Sequence, residues 1–141
     1  MINWLIENGY SIVLSGAPSD QEFNRQIMEL TNGSNQVVMT PSFNLYQTAA
    51  LYSLAKLVVS IDSMSVHLAS ALNIPVVAIY GPSGEKNWGP WGVPCEVVVQ
   101  PESLFPCRPC GMDGCAGSKV SYCLETIQPD QIINACKKLL M

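Results

Sequence analysis

The sequence predicts an α/β domain of the Rossmann-like, three-layer kind, a parallel sheet covered by helices on both faces. Three observations point to it. Short apolar runs alternate with segments of helical spacing throughout the 141 residues. Two of those runs, Leu57–Ile61 and Pro75–Tyr80, are nearly continuous in apolar residues, as strands buried on both faces are. Most runs end in Gly, Ser, Asp or Pro, which stop a strand and open the next helix.

Taken in order, Trp4 to Asn8 reads as the end of a helix, with Gly9 as its C-terminal cap. Ser11–Leu14 is a short β-branched strand that stops at Ser15-Gly16. Asp20 caps a helix through Leu30, with Phe23, Ile27 and Leu30 spaced as its core-facing side. After the loop Thr31–Asn35 come a strand at Val37–Met39 and a helix over Asn44–Lys56. Leu45, Ala49, Tyr52 and Leu54 are the apolar contacts of that helix. Leu57–Ile61 is a strand, Ser65–Leu72 a helix, Pro75–Tyr80 a strand and Cys95–Val99 a last weak strand. Gln128–Leu140 closes the chain as a helix, with Pro129 in its first turn. Pro101–Ser118, rich in Cys, Gly and Pro, is a long loop on one domain that spans residues 1–141. The chain opens inside a helix where a doubly wound domain opens with a strand, so the first strand is expected upstream.

Composition narrows the function. Hydrophobic residues make up 48% and charged residues 13%, the reverse of a disordered chain. The net charge is −4 and only Lys137 and Lys138 are adjacent bases, which argues against nucleic acid as partner. No apolar run approaches the roughly 20 residues of a membrane span. The opening Met1–Glu7 lacks the basic start of a secretory signal. The expected compartment is the cytosol, where the six cysteines are reduced unless they hold a metal.

In open α/β sheets ligands bind beyond the carboxyl ends of the strands. The most informative such segment is Asp62-Ser63-Met64-Ser65-Val66-His67. A helix starting here presents free N–H groups and a partial positive charge to an anion. Ser63 and Ser65 add hydroxyls, His67 reaches the same anion, and Asp62 suits ribose hydroxyls. The plain alternative is an ordinary N-cap with a satisfied histidine. At the next strand end, Gly81-Pro82-Ser83-Gly84 is a tight turn whose backbone can approach a phosphate, or merely a stop. It is neither a Walker loop nor GxGxxG.

The tract Leu57 to Pro82 resembles the donor-binding half of the ADP-heptose:lipopolysaccharide heptosyltransferases. There an aspartate, a Ser or Thr, a small residue, two further positions and a histidine precede a helix, a strand and Gly-Pro. Trp88-Gly89-Pro90-Trp91-Gly92 and the tail Cys123–Ile132 also fit. The resemblance implies the C-terminal half of a two-domain GT-B fold, and inverting transfer of heptose from ADP-heptose to the lipopolysaccharide core. It implies donor contacts at Asp62, Ser63, Met64, Ser65, His67 and Gly81, and a ribose contact near Asp20 or Glu22. Met64 departs from the small residue usual there. The family's donor-binding lysine and its catalytic carboxylate fall before this chain's start, the latter in an N-terminal domain. No cofactor or divalent metal is implied, in keeping with the lack of an Asp-x-Asp motif. The expected location is the cytoplasm, or the cytoplasmic face of the inner membrane.

Cys107, Cys110, Cys115 and Cys123 begin with the CxxC spacing of a zinc knuckle, but the second pair does not repeat it and no His is near. Reduced structural thiols are the expectation, with a metal site as the alternative. The similar cysteines of the resembling family favour a structural role. Trp88 and Trp91 read as two buried indoles pinning a rigid loop, or alternatively as an aromatic wall beside the ligand. Leu139–Met141 forms an apolar end suited to an interface. The rival functions are a non-catalytic nucleotide-sugar-binding module and a small cysteine-loop metal domain.

Overall fold

The computed structural model describes residues 1–141 and shows an α/β, Rossmann-like fold built of parallel sheets and helices. The chain divides into two compact units, Met1–Ala50 and Leu51–Met141.

In the first unit α1 (Ile2–Glu7) ends at Asn8, and Gly9 follows with φ 79°. Its N–H donates to the Ile6 carbonyl at 2.9 Å, closing the helix as the sequence predicts. β1 (Ile12–Leu14) leads through a 3-10 turn at Pro18–Asp20 into α2 (Gln21–Leu30). β2 (Val37–Met39) then pairs in parallel with β1, Ile12 opposite Val37. The expected apolar side of α2 is not covered: Phe23 and Leu30 are 66% and 78% exposed, and the buried residue is Asn24. Two three-residue strands offer too little apolar surface to cover three turns of helix. Asn24 is held by the Ser15 carbonyl.

α3 (Leu45–Tyr52) is shorter than the predicted Asn44–Lys56. Tyr52 is buried, and the chain then tightens into turns through Leu54 N–H to Leu51 O and Ala55 N–H to Tyr52 O. That re-aiming toward the next strand leaves Leu54 84% exposed; Leu45 is exposed as well.

In the second unit β3 (Val58–Ile61), α4 (Met64–Ala71), β4 (Val76–Tyr80), α5 (Glu85–Trp88) and β5 (Cys95–Val99) follow one another, then α6 (Tyr122–Glu125) and α7 (Pro129–Leu140). The sheet runs β3-β4-β5, all parallel, with Val58 opposite Val76 and Val76 opposite Cys95. The parallel ladder is thus in two pieces, since β1 and β2 bond only to each other. Successive side chains of a strand face opposite ways. Val76, Ala78 and Tyr80 of β4 join Val58, Val66, Ala69 and Tyr52 in one core cluster. Val77 faces the other way and is equally buried, with Ala135 and Cys136 of α7 buried in the same unit and α7 packed on β4 and β5. Only the central strand is buried on both faces; β3 and β5 are half exposed, as sheet edges are.

The long loop after β5 is fastened by Arg108, whose side chain is 2% exposed. Its Nε donates to the Gly81 carbonyl at 2.6 Å, one Nη to the Gln100 carbonyl at 2.8 Å, and the other to Glu85 Oε2 at 3.0 Å. The Gly111 N–H adds a bond to the Pro82 carbonyl at 2.9 Å. The ends of β4 and β5 and the start of α5 are therefore clamped by one guanidinium. Removing one member of a buried pair typically destabilises by about 3–5 kcal/mol. Arg108→Ala is expected to lower unfolding stability by that order in urea titrations. Arg108→Lys, which cannot span three acceptors, should recover less than half of the loss.

Candidate functional site

The strand β3 ends at Ile61 and α4 starts at Met64, so Asp62 and Ser63 form the link at the carboxyl end of the sheet. Asp62 N–H still bonds to Ile79 O at 3.0 Å, which fixes the link to β4. Ser63 is fully extended (φ −163°) and caps α4: its Oγ accepts from the Ser65 N–H at 3.2 Å and its carbonyl from the Val66 N–H at 3.1 Å. Ser60 Oγ donates to the Ile61 carbonyl at 2.9 Å, so the 3.1 Å contact between Ser60 and Ser63 carries the Ser63 proton. The Ser63 hydroxyl is thereby turned inward, to hold the turn. What remains for a ligand is the positive end of α4, with the Met64 N–H at its tip, the Ser65 hydroxyl, the Asp62 carboxylate and the exposed His67 ring. Met64, 53% exposed, stands on the same helix start.

His67 meets the Trp88 ring edge-to-face, centroids 6.5 Å apart and planes at 74°. The Trp88 backbone is in turn fixed from below: the wholly buried Tyr80 donates its hydroxyl to the Trp88 carbonyl at 2.5 Å. Burial, with the nearby Asp62, Glu85 and Cys95 charges adding to it, pushes the Tyr80 phenol up to about 12. The phenol therefore stays a hydrogen-bond donor at any ordinary pH.

The structure thus gathers Asp62, Ser63, Met64, Ser65 and His67 in one turn. Gly81 follows β4, but its lack of a side chain is explained by packing: a Cβ there would lie 2.3 Å from Leu124 Cγ. Asp20 and Glu22 lie in the first unit, each with an intramolecular partner. Asp20 Oδ2 accepts from the Ala17 N–H at 2.8 Å, and Glu22 pairs with Arg25. All six cysteines are free thiols, Cys107 and Cys110 exposed, Cys115 half-buried and Cys123 buried. No three His, Cys, Asp or Glu residues converge as a metal would need. Burial raises the Cys123 thiol, against the opposing Arg108 charge. A hollow of about 160 Å³ between β5 and α7 is lined by Glu96, Val98, Gln131 and Lys138 and shares no residue with this turn.

The expectation of two buried indoles is overturned. Trp88 is 59% and Trp91 85% exposed, because the loop is anchored through its backbone rather than its rings. Sequence reasoning also missed Arg108, Tyr80 and Glu85. A lone arginine inside a Cys/Pro loop was the available signal for Arg108.

The glycosyltransferase family 9 (heptosyltransferase) profile matches residues 1–116. The chain belongs to that family. Over 140 residues it is 38% identical to lipopolysaccharide heptosyltransferase 2 of Escherichia coli, which covers 97% of this chain and 39% of that protein. Among solved structures, the Escherichia coli ADP-heptose lipopolysaccharide heptosyltransferase II aligns with a TM-score of 0.78 and 27% identity, over 98% of this chain and 38% of that one. The family 9 glycosyltransferase of Veillonella parvula aligns at 0.73, with 27% identity, over 95% and 38%. Escherichia coli heptosyltransferase WaaC with ADP aligns at 0.59, with 31% identity, over 69% and 30%. The chain therefore spans about two fifths of the length of its closely matching relatives. No helix of this family member is long and apolar enough to cross a membrane.

The Tyr80 contact has a pH signature. The folded-state pKa lies above the ordinary 10.0, so the native state holds this proton more tightly than the unfolded one. That contribution is complete below pH 10 and is lost as pH rises from 10 through 12. Unfolding titrations across this range should show a steeper alkaline loss for wild type than for Tyr80→Phe.

Proposed function

We propose that this chain is the nucleotide-sugar-binding part of an inverting heptosyltransferase, one that moves heptose from an ADP-heptose donor to the lipopolysaccharide core. The observation that carries the reading is the start of α4. There the N-terminal N–H groups and the dipole of α4 share one turn with Asp62, Ser65 and His67. A diphosphate on that helix end is held by backbone N–H, Ser65 and His67, while Asp62 takes ribose hydroxyls. As the sugar departs, negative charge grows on the diphosphate. Fixed dipoles and a histidine already aimed there stabilise it without reorganisation. On this reading a divalent cation is not needed, so chelator leaves affinity unchanged. On the same reading the chain is the C-terminal half of a GT-B enzyme that works in the cytoplasm, at the inner face of the membrane.

The family resemblance implies that deprotonation of the acceptor hydroxyl falls to a carboxylate outside these 141 residues.

Calorimetric titration of ADP into wild type, Asp62→Ala and His67→Ala tests the site. Loss of a charge-assisted hydrogen bond should weaken binding by about 1.5–3 kcal/mol in each variant. Equal affinity in all three, with the fold intact, refutes the assignment. A second expectation concerns turnover. Orientation can supply roughly 7–11 kcal/mol of barrier lowering, and a base a further factor of about 10²–10⁴. With acceptor positioning and base both supplied elsewhere, these residues alone should release no ADP from ADP-heptose above background in the presence of a core saccharide. Acceptor-dependent turnover would place the base within the chain.

A further inference from the structure

His67 is the one histidine of the chain, and it lies on the first turn of α4, which the reading above gives to the diphosphate. Its side chain is exposed, and no hydrogen bond or ion pair within the chain holds either ring nitrogen. An exposed imidazole in that condition exchanges among rotamers, and each rotamer points the nitrogens elsewhere. Histidines that bind or react are ordinarily oriented by a bond to their second nitrogen. Here an aromatic contact stands in its place. The Trp88 indole meets the imidazole edge-to-face, with centroids 6.5 Å apart and planes at 74°, the geometry of a T-shaped pair. Such a contact orients the ring and leaves both nitrogens open to a ligand.

The indole can act as a stop only if it is fixed itself. Trp88 is 59% exposed, so packing of the ring does not fix it. Its backbone does. A helix of four residues such as α5 has no stability of its own, and it is held here at both ends. At its end the Trp88 carbonyl accepts from the Tyr80 hydroxyl at 2.5 Å. Tyr80 is wholly buried and closes β4, so this bond ties the indole's backbone to the central strand. At its start Glu85 accepts from the buried Arg108 at 3.0 Å.

We propose that Trp88 is a positioning residue for His67: the indole, set in place by Tyr80, holds the imidazole in the orientation in which it meets the diphosphate. This rests on the donor-site reading. An imidazole held before the ligand arrives gives up no rotamer freedom on binding, and affinity rises by the cost avoided.

The single histidine makes the test direct, because its ring protons give one unambiguous set of NMR lines. In ligand-free wild type the indole ring current should displace those lines. In Trp88→Leu they should return to the position of an unstructured histidine, and in Trp88→Phe they should stay displaced. ADP titrations, followed by backbone amide shifts up to millimolar ligand, should show Trp88→Leu binding about two- to tenfold more weakly, the range of one aromatic pair, with most of the loss recovered in Trp88→Phe. The ring is exposed and its anchors are backbone groups, so both variants should keep the wild-type melting temperature. A double-mutant cycle separates positioning from direct contact. In a His67→Ala background Trp88→Leu should cost nothing further; an equal cost in both backgrounds puts the indole on the ligand itself and overturns the proposal. Histidine lines unmoved by Trp88→Leu overturn it as well. If wild type binds ADP and Trp88→Leu binds it equally, the positioning role is refuted while the donor site stands. If wild type binds no ADP, the donor-site reading fails and this inference with it. Tyr80→Phe keeps the indole but frees its carbonyl, and should fall between wild type and Trp88→Leu in both readouts. Behaviour identical to wild type would remove Tyr80 from the device.

Discussion

The buried guanidinium of Arg108 is the interaction on which the site end of the second unit depends. Its acceptors come from three elements that the sheet alone does not hold together: the turn after β4, the residue after β5 and the first turn of α5. Gln100, whose carbonyl is one of them, reaches on through its side chain to the Thr126 carbonyl at 2.7 Å, so α6 is tied into the same knot. Desolvating a guanidinium is expensive, and it is tolerable here because two carbonyls and a carboxylate replace the lost water. The result is a fixed rim around the open end of the sheet, made from a loop with little secondary structure of its own.

That rim complements the chemistry of the α4 start. A helix N-terminus attracts anions of many kinds and discriminates poorly among them. Selectivity has to come from what surrounds it. Around it stand the Asp62 carboxylate, the exposed Met64 and the His67 ring, which meets an indole edge-to-face. The inward-turned Ser63 contributes by shape, since its hydroxyl is used to cap the helix.

Much of this was legible in the residues. The strands at 58–61 and 76–80, the helix between them and the turn at Asp62–His67 follow from apolar runs, stop signals and an N-cap, all of which are local. The misreadings share a cause: they concern what tertiary structure chooses to cover. Phe23, Leu30, Leu45 and Leu54 have the right spacing for a core face, but the short strands of the first unit and the early end of α3 leave them exposed. Large aromatics usually pack, so Trp88 and Trp91 read as buried, whereas backbone bonds fix their loop and leave the rings exposed. Arg108 escaped notice because its partners lie 8, 23 and 27 residues away, and no periodicity records such a contact.

β3 is hydrogen-bonded along one side only. Val58 and Asp62 donate toward β4, so the amide groups of Val59 between them point away from it, along a run with no charge, proline or glycine from Leu57 to Ile61. Such an edge invites strands from other molecules. Two charges bracket it, Lys56 at one end and Asp62 at the other, in the manner of gatekeepers that keep an apolar strand from templating aggregation. The Asp62 charge therefore guards one end of that edge. Neutralising Asp62 removes one of the two charges that bracket the unpaired edge of β3, so such a change comes coupled to a tendency toward intermolecular sheet growth.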